Sequence, residues 1–470
     1  MKIQIKCVAL MGFLLCVSNA VFAQNSKKPN IIMIYADDYG VAEASCYGAD
    51  NYKTPNIDKL AKNGIRFTHA YTAPLCGPSR AMLLTGRYAF RTGAYTQDKT
   101  GEFTPKTETM IPKMLKQAGY ASTSIGKWGQ LPLAPSDFGF DEYMTFKGSG
   151  IYWNTQAKGK DFFVNGQTIS LKDKEYMPDV MHQKAVDFMV KNKNNPFFLY
   201  YPMSHVHNEI LPTPDSKPGA TNDEIYQDNV TYMDKLVGQL MAALDSLKLT
   251  ENTLVVFMGD NGTANGRAAR ATIGGKKLIG SKGSMQEGGG LVPLIINWKG
   301  VTPKGKVSNT LVDASDFYPT FMELAGITAT PNPLDGQSIL PEIKAQNAEH
   351  RTWIFNQLAQ MWYVRELNWK LNRTGELFDM TKAPFDEILV AADTKDPEAI
   401  AAKGRLQKVL DNLDPAKTTI DDGNTTGRHA AKEALKENKA DAQTDKEAAK
   451  KAAKKAAKKA ENKAGKGKNE

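Results

Sequence analysis

Cys76-Gly77-Pro78-Ser79-Arg80 concentrates a thiol, a helix-starting proline and a guanidinium into five residues. Proline favours the first turn of a helix, and Ser79 is expected to satisfy backbone N–H groups left free there. Arg80 follows Cys76 by four residues, so both side chains should project from one helical face. A nucleophile beside a cation at the positive end of a helix dipole suits an anionic substrate. The plainer alternative is a small buried cysteine at a helix start. A second alternative is a disulfide: Cys7 and Cys16 leave with an N-terminal leader, and Cys46 and Cys76 would pair in an oxidising compartment. A chemically consumed Cys76 would instead leave Cys46 alone.

Four oxygen-bearing residues could hold a cation. Asp37 and Asp38 follow one apolar run, and Asp260 and Asn261 follow another. Hard oxygen donors without a His or Cys partner favour Ca²⁺ or Mg²⁺ over Zn²⁺. An Asp-Asp or Asp-Asn pair alone reads as a turn, but two pairs at two strand ends read as a metal site. Lys127 and Lys282 lie in Gly-flanked turns, where backbone can approach a ligand closely and an ammonium can complement an anion. His205 and His207 alternate along an extended run, which would point both to one face, where either could move a proton near neutral pH. His69, His182, His350 and His429 are read as structural.

These residues need a scaffold that brings them together. Asn30–Ala36 (NIIMIYA) and Thr253–Met258 (TLVVFM) are short apolar runs of the kind found in buried parallel strands. Pro55–Asn63 and Ile111–Ala118 carry helical spacing, and Pro196–Tyr201 is again apolar. The alternation predicts an α/β core with a large mixed, mostly parallel sheet flanked by helices. Ligands on such sheets gather beyond the carboxyl ends of the strands, where the two Asp pairs and His205 and His207 fall. From Arg351 the runs WIFNQ, MWYVREL and NWKLNRT predict a small antiparallel sheet, closed by a helix over Asp396–Leu413. This is a C-terminal α+β subdomain expected to bury its own core.

Residues 1–23 combine a basic start, an apolar stretch and a small residue at Ala23, the pattern of a secretory signal peptide. The mature protein is therefore expected outside the cytoplasm, periplasmic or extracellular, without a transmembrane segment. The formal net charge is +9, but residues 430–470 hold 13 Lys against 7 acidic residues, and Lys2 and Lys6 account for more. Basicity thus belongs to the tail, and nucleic acid is not an expected partner. The expected organisation is a signal peptide over 1–23, a catalytic domain over 24–345, a C-terminal subdomain over 346–428 and a Lys/Ala-rich tail over 429–470. The tail reads as solvated, disordered or transiently helical, with polyanion contact as a weaker reading.

CGPSRAMLLTGR, together with PNIIMIYADDYG, TPNIDKLAKNGIRFTHAY, IGKWG, HVHN, MGDNG, SKGSMQEGG and NWKLNRTGELFDM, resembles the type I sulfatases. These are the formylglycine-dependent sulfate ester hydrolases of the alkaline phosphatase superfamily, and the resemblance spans nearly all of the chain to Leu413. It implies that Cys76 becomes formylglycine (3-oxoalanine), whose hydrated aldehyde attacks sulfur and later expels sulfate by elimination. It implies Asp37, Asp38, Asp260 and Asn261, with residue 76, around Ca²⁺ or alternatively Mg²⁺. Arg80 would steady the formylglycine, Lys127 and Lys282 would bind sulfate oxygens, and His207 would protonate the departing alcohol, with His205 as second choice. A formylglycine-generating or anaerobic sulfatase-maturating enzyme is the implied partner.

The chain departs from the family at Gly129, where many members carry a His that assists elimination, and Gln130 cannot replace it as a base. Leu291 stands where an Arg is usual. Sulfated carbohydrate is the substrate class suggested by analogy, with Arg267, Trp362, Trp153, Arg270 and Tyr363 as candidate sugar contacts. A phosphodiesterase or phosphonate monoester hydrolase, and an inactive glycan-binding homologue, are the competing readings.

Overall fold

The computed structural model describes residues 28–97, 103–129, 131, 133–146, 148–154, 162–347 and 349–420. The expected signal peptide, Gln130 and the Lys/Ala tail lie outside the described residues.

Apolar runs become strands where the sequence suggests. The main sheet comprises β1 (Asn30–Ala36), β2 (Ile65–Tyr71), β3 (Ala121–Ile125), β4 (Glu142–Phe146), β5 (Phe162–Val164), β6 (Gln167–Ile169), β7 (Phe197–Pro202) and β8 (Thr253–Gly259). After a two-stranded ribbon, β9 (Thr272–Ile273) with β10 (Lys276–Lys277), it gains β11 (Leu294–Asn297) and β12 (Lys306–Asp313). Its ten strands run in the order β12-β2-β11-β8-β1-β7-β3-β4-β5-β6. The central run from β8 to β4 is parallel, while β11, β5 and β6 pair antiparallel.

Strand β1 shows why the centre reads as an unbroken apolar run. Ile31, Met33 and Tyr35 enter one core, and Ile32, Ile34 and Ala36 enter another on the opposite face. Helices cover both faces, so neither set of side chains meets water. One core receives the helices Cys76–Thr85, Ile111–Gln117 and Phe317–Ala325; the other receives Pro55–Lys62, Met177–Lys191 and Asn222–Ser246.

The C-terminal strands β13 (Ile354–Leu358), β14 (Met361–Arg365), β15 (Trp369–Asn372), β16 (Leu377–Asp379) and β17 (Ile388–Leu389) form an antiparallel sheet in chain order. The helix Pro397–Leu413 packs on it. The expectation of a separate core fails here. Phe355, Trp362, Val364, Leu371, Leu377, Leu406 and Leu410 join the same hydrophobic cluster as the main sheet. The small sheet is too thin to enclose a core alone and completes a shared one.

Glu43 links the loops that follow β1 and β8. Its buried carboxylate accepts from Gly40 N at 2.9 Å and Thr263 Oγ1 at 2.9 Å, and from the Tyr226 hydroxyl. Burial outweighs these donors and pushes the carboxyl up to about 7. Because the unfolded group ionises near 4.5, its contribution is intact below that pH and is lost as pH rises toward about 7, on the order of 3 kcal/mol. Glu43→Gln should flatten the decline of Tm between those limits relative to the unsubstituted protein; parallel Tm profiles would contradict this.

Candidate active site

Register places the acidic pairs. Strands β1 and β8 are adjacent and parallel, with Ala36 opposite Gly259, so both chains leave the sheet at one level. Asp260 N donates to Ala36 O at 2.8 Å, and Asp38 N donates to Asp260 Oδ1 at 2.9 Å. Asp38 adopts a left-handed backbone, φ 58°, a conformation Asp tolerates better than most residues. Beyond Asn261, a side chain at Gly262 would sit 1.7 Å from Gly288 O, so only glycine admits this packing of the two loops.

Cys76 begins a helix whose ten residues are all buried, and Arg80 lies one turn on. The expected capping by Ser79 does not occur: its hydroxyl donates to Ala73 O at 2.7 Å, because it sits inside the first turn rather than before it. Arg80 reaches Asp260 Oδ2 at 2.6 Å and Asp37 Oδ1 at 3.8 Å. Lys127 follows β3, after Gly126 at φ 132°, where a Cβ would lie 1.9 Å from Pro202 O. Its ammonium bonds Asp37 Oδ1 at 2.8 Å. Lys282 bonds Asp38 Oδ1 at 2.7 Å.

Three buried carboxylates thus meet three cations. Ligand atoms of Asp37, Cys76 and Asp260 lie within 4.8 Å of one another, as do those of Asp37, Asp38 and His207. Burial, then Asp37, pushes the Asp260 carboxyl up to about 6 despite Arg80. Burial also opposes ionisation of Asp38, but Lys282 and its neighbours outweigh it and hold the carboxyl far below the usual range. Burial opposes charge on both lysines, yet Asp37 keeps Lys127 protonated and Asp38 keeps Lys282 protonated.

The donors fit a hard dication. Asn261 Nδ2 is spent on Asp38 Oδ1 at 2.9 Å, leaving the buried Oδ1 of Asn261 without a hydrogen-bond partner. A buried amide oxygen beside three carboxylates is the set that Ca²⁺ or Mg²⁺ coordinates.

The two histidines separate, against the expectation of a shared face. The chain turns at His205–Val206 instead of running extended. His205 is sealed among Tyr152, Tyr176 and Tyr232, with Nε2 3.0 Å from the Tyr176 hydroxyl. Burial pushes it down to about 3. His207 faces the cluster, with Nε2 3.8 Å from Asp38 Oδ2. Burial, then Lys127 and Lys282, also push it down to about 3. Its Nδ1 meets Asn208 O, which can only accept, so the proton of the neutral ring is assigned to Nδ1. A proton on Nε2 therefore requires more negative charge beside it than Asp38, itself paired with Lys282, supplies.

Cys46 and Cys76 both carry free thiols, so the disulfide is not formed. Burial pushes the Cys46 thiol up to about 12, leaving it unreactive. Trp362 was expected to line a sugar subsite. It is instead a core residue, 7% exposed, with Arg373 stacked 4.8 Å from its ring. Arg267 lies 4.9 Å over the Tyr226 ring and pairs with Asp223 at 3.3 Å, and Arg270 pairs with Asp223 at 2.7 Å. Trp153 donates to Pro212 O, and Tyr363 is buried beside Asn356. Leu291 is buried against Tyr71 and Val41. Sequence reasoning missed Gln97, whose Nε2 lies 3.1 Å from Cys76 Sγ and whose Oε1 accepts from Gly77 N at 3.2 Å. A glutamine 21 positions downstream carries no motif signal.

The family model described as Sulfatase matches residues 29–327, and one described as N-sulphoglucosamine sulphohydrolase, C-terminal, matches residues 280–386. N-acetylgalactosamine-6-sulfatase of Canis lupus familiaris is 34% identical over 345 residues, covering 67% of this chain and 65% of the relative. The Homo sapiens protein of the same name is 33% identical over 345 residues, covering 67% and 66%. The chain thus spans about two thirds of the length of these curated relatives. The crystal structure of Ps i-CgsB in complex with k-i-k-neocarrahexaose superposes with a TM-score of 0.72 at 29% identity, covering 87% of this chain and 96% of that one. With its fold, its buried acid–base cluster and a family match over more than half its length, the chain belongs to the sulfatase family.

Proposed function

We propose that this protein is an exported sulfatase that hydrolyses sulfate monoesters of carbohydrate, using Cys76 after its conversion to formylglycine by a maturation enzyme. The observation that carries the reading is the meeting of Cys76 Sγ with Asp37 and Asp260 oxygens within 4.8 Å, closed by Arg80 at 2.6 Å from Asp260. Relatives named for an N-acetylgalactosamine sulfate and a neighbour bound to neocarrahexaose support sulfated sugar as the substrate class. Residues 1–23 serve as the signal peptide.

Asp37, Asp38, Asp260 and Asn261 would hold Ca²⁺ or Mg²⁺ beside residue 76. When bound, the dication neutralises oxygen charge and the hydrated aldehyde supplies an oxygen nucleophile. The chain's own residues do the rest. Arg80 offsets negative charge beside position 76 from the same helix. Lys127 and Lys282 each present an ammonium with three donors, enough to keep a carboxylate and still bind a sulfate oxygen. Arrival of the anionic ester beside His207 Nε2 favours protonation there, and that nitrogen then delivers its proton to the departing alcohol oxygen. His205, sealed by tyrosines, positions the Asp37 loop: its carbonyl accepts from Asp37 N at 2.7 Å.

Purified, mature protein given paired sulfate and phosphate esters of one alcohol should release sulfate far faster; preferential phosphate release would place the chain among phosphoester hydrolases. Lys127→Ala and Lys282→Ala should each lower kcat/KM by about 10²-fold or more in protein that still folds, with Tm lowered for Lys127→Ala because the buried Asp37 loses its partner. Near-normal turnover in either variant removes that lysine from the site. Calorimetric titration should show Ca²⁺ binding that Asn261→Ala weakens by about tenfold or more, since the orphaned amide oxygen is lost. Equal affinity in the variant would contradict the assigned ligand set.

A further inference from the structure

Lys282 lies in a loop with two kinds of anchor. Toward the catalytic sheet, Lys282 N donates to Thr263 O and Gly283 N to Pro74 O, each at 2.9 Å. On the other side the loop is held by the C-terminal sheet. Ile279 N donates to Pro384 O at 3.0 Å, and Glu287 N donates to Glu387 Oε1 at 2.9 Å. Lys370, on β15, donates to Met285 O at 3.3 Å and pairs with Glu387. Arg365, on β14, meets Glu287 Oε1 at 2.5 Å, while the Tyr71 hydroxyl donates to Glu287 Oε2 at 2.9 Å.

Glu287, Arg365 and Lys370 are 2%, 0% and 3% exposed. Ion pairs so fully desolvated contribute little net stability compared with apolar packing, so stability alone is a poor explanation for two of them side by side. What they do supply is a fixed geometry: the planar Arg365 guanidinium bonds Glu287 directionally, and the buried Lys370 ammonium ties Met285 O to Glu387, so the loop is held from two sides. Both pairs end on the stretch from Met285 to Glu287, three to five residues beyond Lys282.

Resting on the sulfatase reading, we propose that Glu287 and Glu387 are positioning residues through which the C-terminal sheet holds the Lys282 ammonium in register with Asp38 and the substrate's sulfate group. The antiparallel sheet is then part of the catalytic apparatus, acting on the reaction through a single lysine.

A double-mutant cycle tests this. Glu387→Gln keeps an acceptor for Glu287 N but removes the charge facing Lys370; Glu287→Gln does the same opposite Arg365. In the otherwise unsubstituted protein each should lower kcat/KM for sulfate release by about tenfold, and in a Lys282→Ala background by no more than about twofold. Equal losses in both backgrounds would overturn the proposal, because a merely structural role acts whether or not Lys282 is present. Should Glu287→Gln fail to fold, Glu387→Gln decides alone. A second readout does not need catalysis: acylation of Lys282 by an N-hydroxysuccinimide ester, quantified on its peptide, should quicken severalfold in Glu387→Gln, and an unchanged rate overturns the proposal. An unsubstituted protein that releases no sulfate would refute the sulfatase reading, while the labelling rates would still judge the positioning role.

Discussion

Burying Asp37, Asp38 and Asp260 together is the constraint on which the rest of the structure depends. Isolated carboxylates in such a place would surrender their charge rather than remain ionised. Asp260 already leans that way, pushed up to about 6 by burial and Asp37. Arg80, Lys127 and Lys282 restrain the tendency, and each must come from a different part of the chain. The buried helix behind Cys76, the glycine-bound turn after β3 and the loop before β11 exist in these positions to deliver them. Adding a dication to three carboxylates and three cations would tip a nearly balanced cluster toward positive, which is what an anionic ester requires.

Parallel strand register makes this economical. Since β1 and β8 are neighbours in step, two short acidic turns reach the same point without long loops. Glu43, shared between Gly40 and Thr263, ties those turns together beneath the cluster. The same logic extends outward: the loop with Lys282 is gripped between the ten-stranded sheet and the antiparallel sheet, and the two sheets share one hydrophobic core.

Much of this was legible in the sequence because it is local. Buried parallel strands announce themselves as apolar runs, the acidic pairs follow directly on two of them, and Cys76 and Arg80 sit four residues apart at a Pro-marked helix start. The C-terminal sheet and its helix were legible from aromatic alternation and a Pro-led helical pattern. What escaped depends on distant partners. Nothing near His205 indicates that a turn aims it into a tyrosine cage while His207 meets Asp38, and nothing near Trp362 distinguishes a core ring from a sugar platform. Gln97, Glu43 and the Glu287–Arg365 pair were invisible for the same reason: their partners lie 20 to more than 200 residues away. The shared core was missed because composition cannot tell whether two sheets enclose separate interiors.

The central claim is that residue 76 becomes the oxygen nucleophile of this charge-balanced cluster. Mass spectrometry of the tryptic peptide from Phe67 to Arg80, taken from protein that is demonstrably releasing sulfate, tests it most directly. The account predicts the mass of an aldehyde in place of the thiol, and a peptide found wholly at the unmodified cysteine mass in active protein would contradict it.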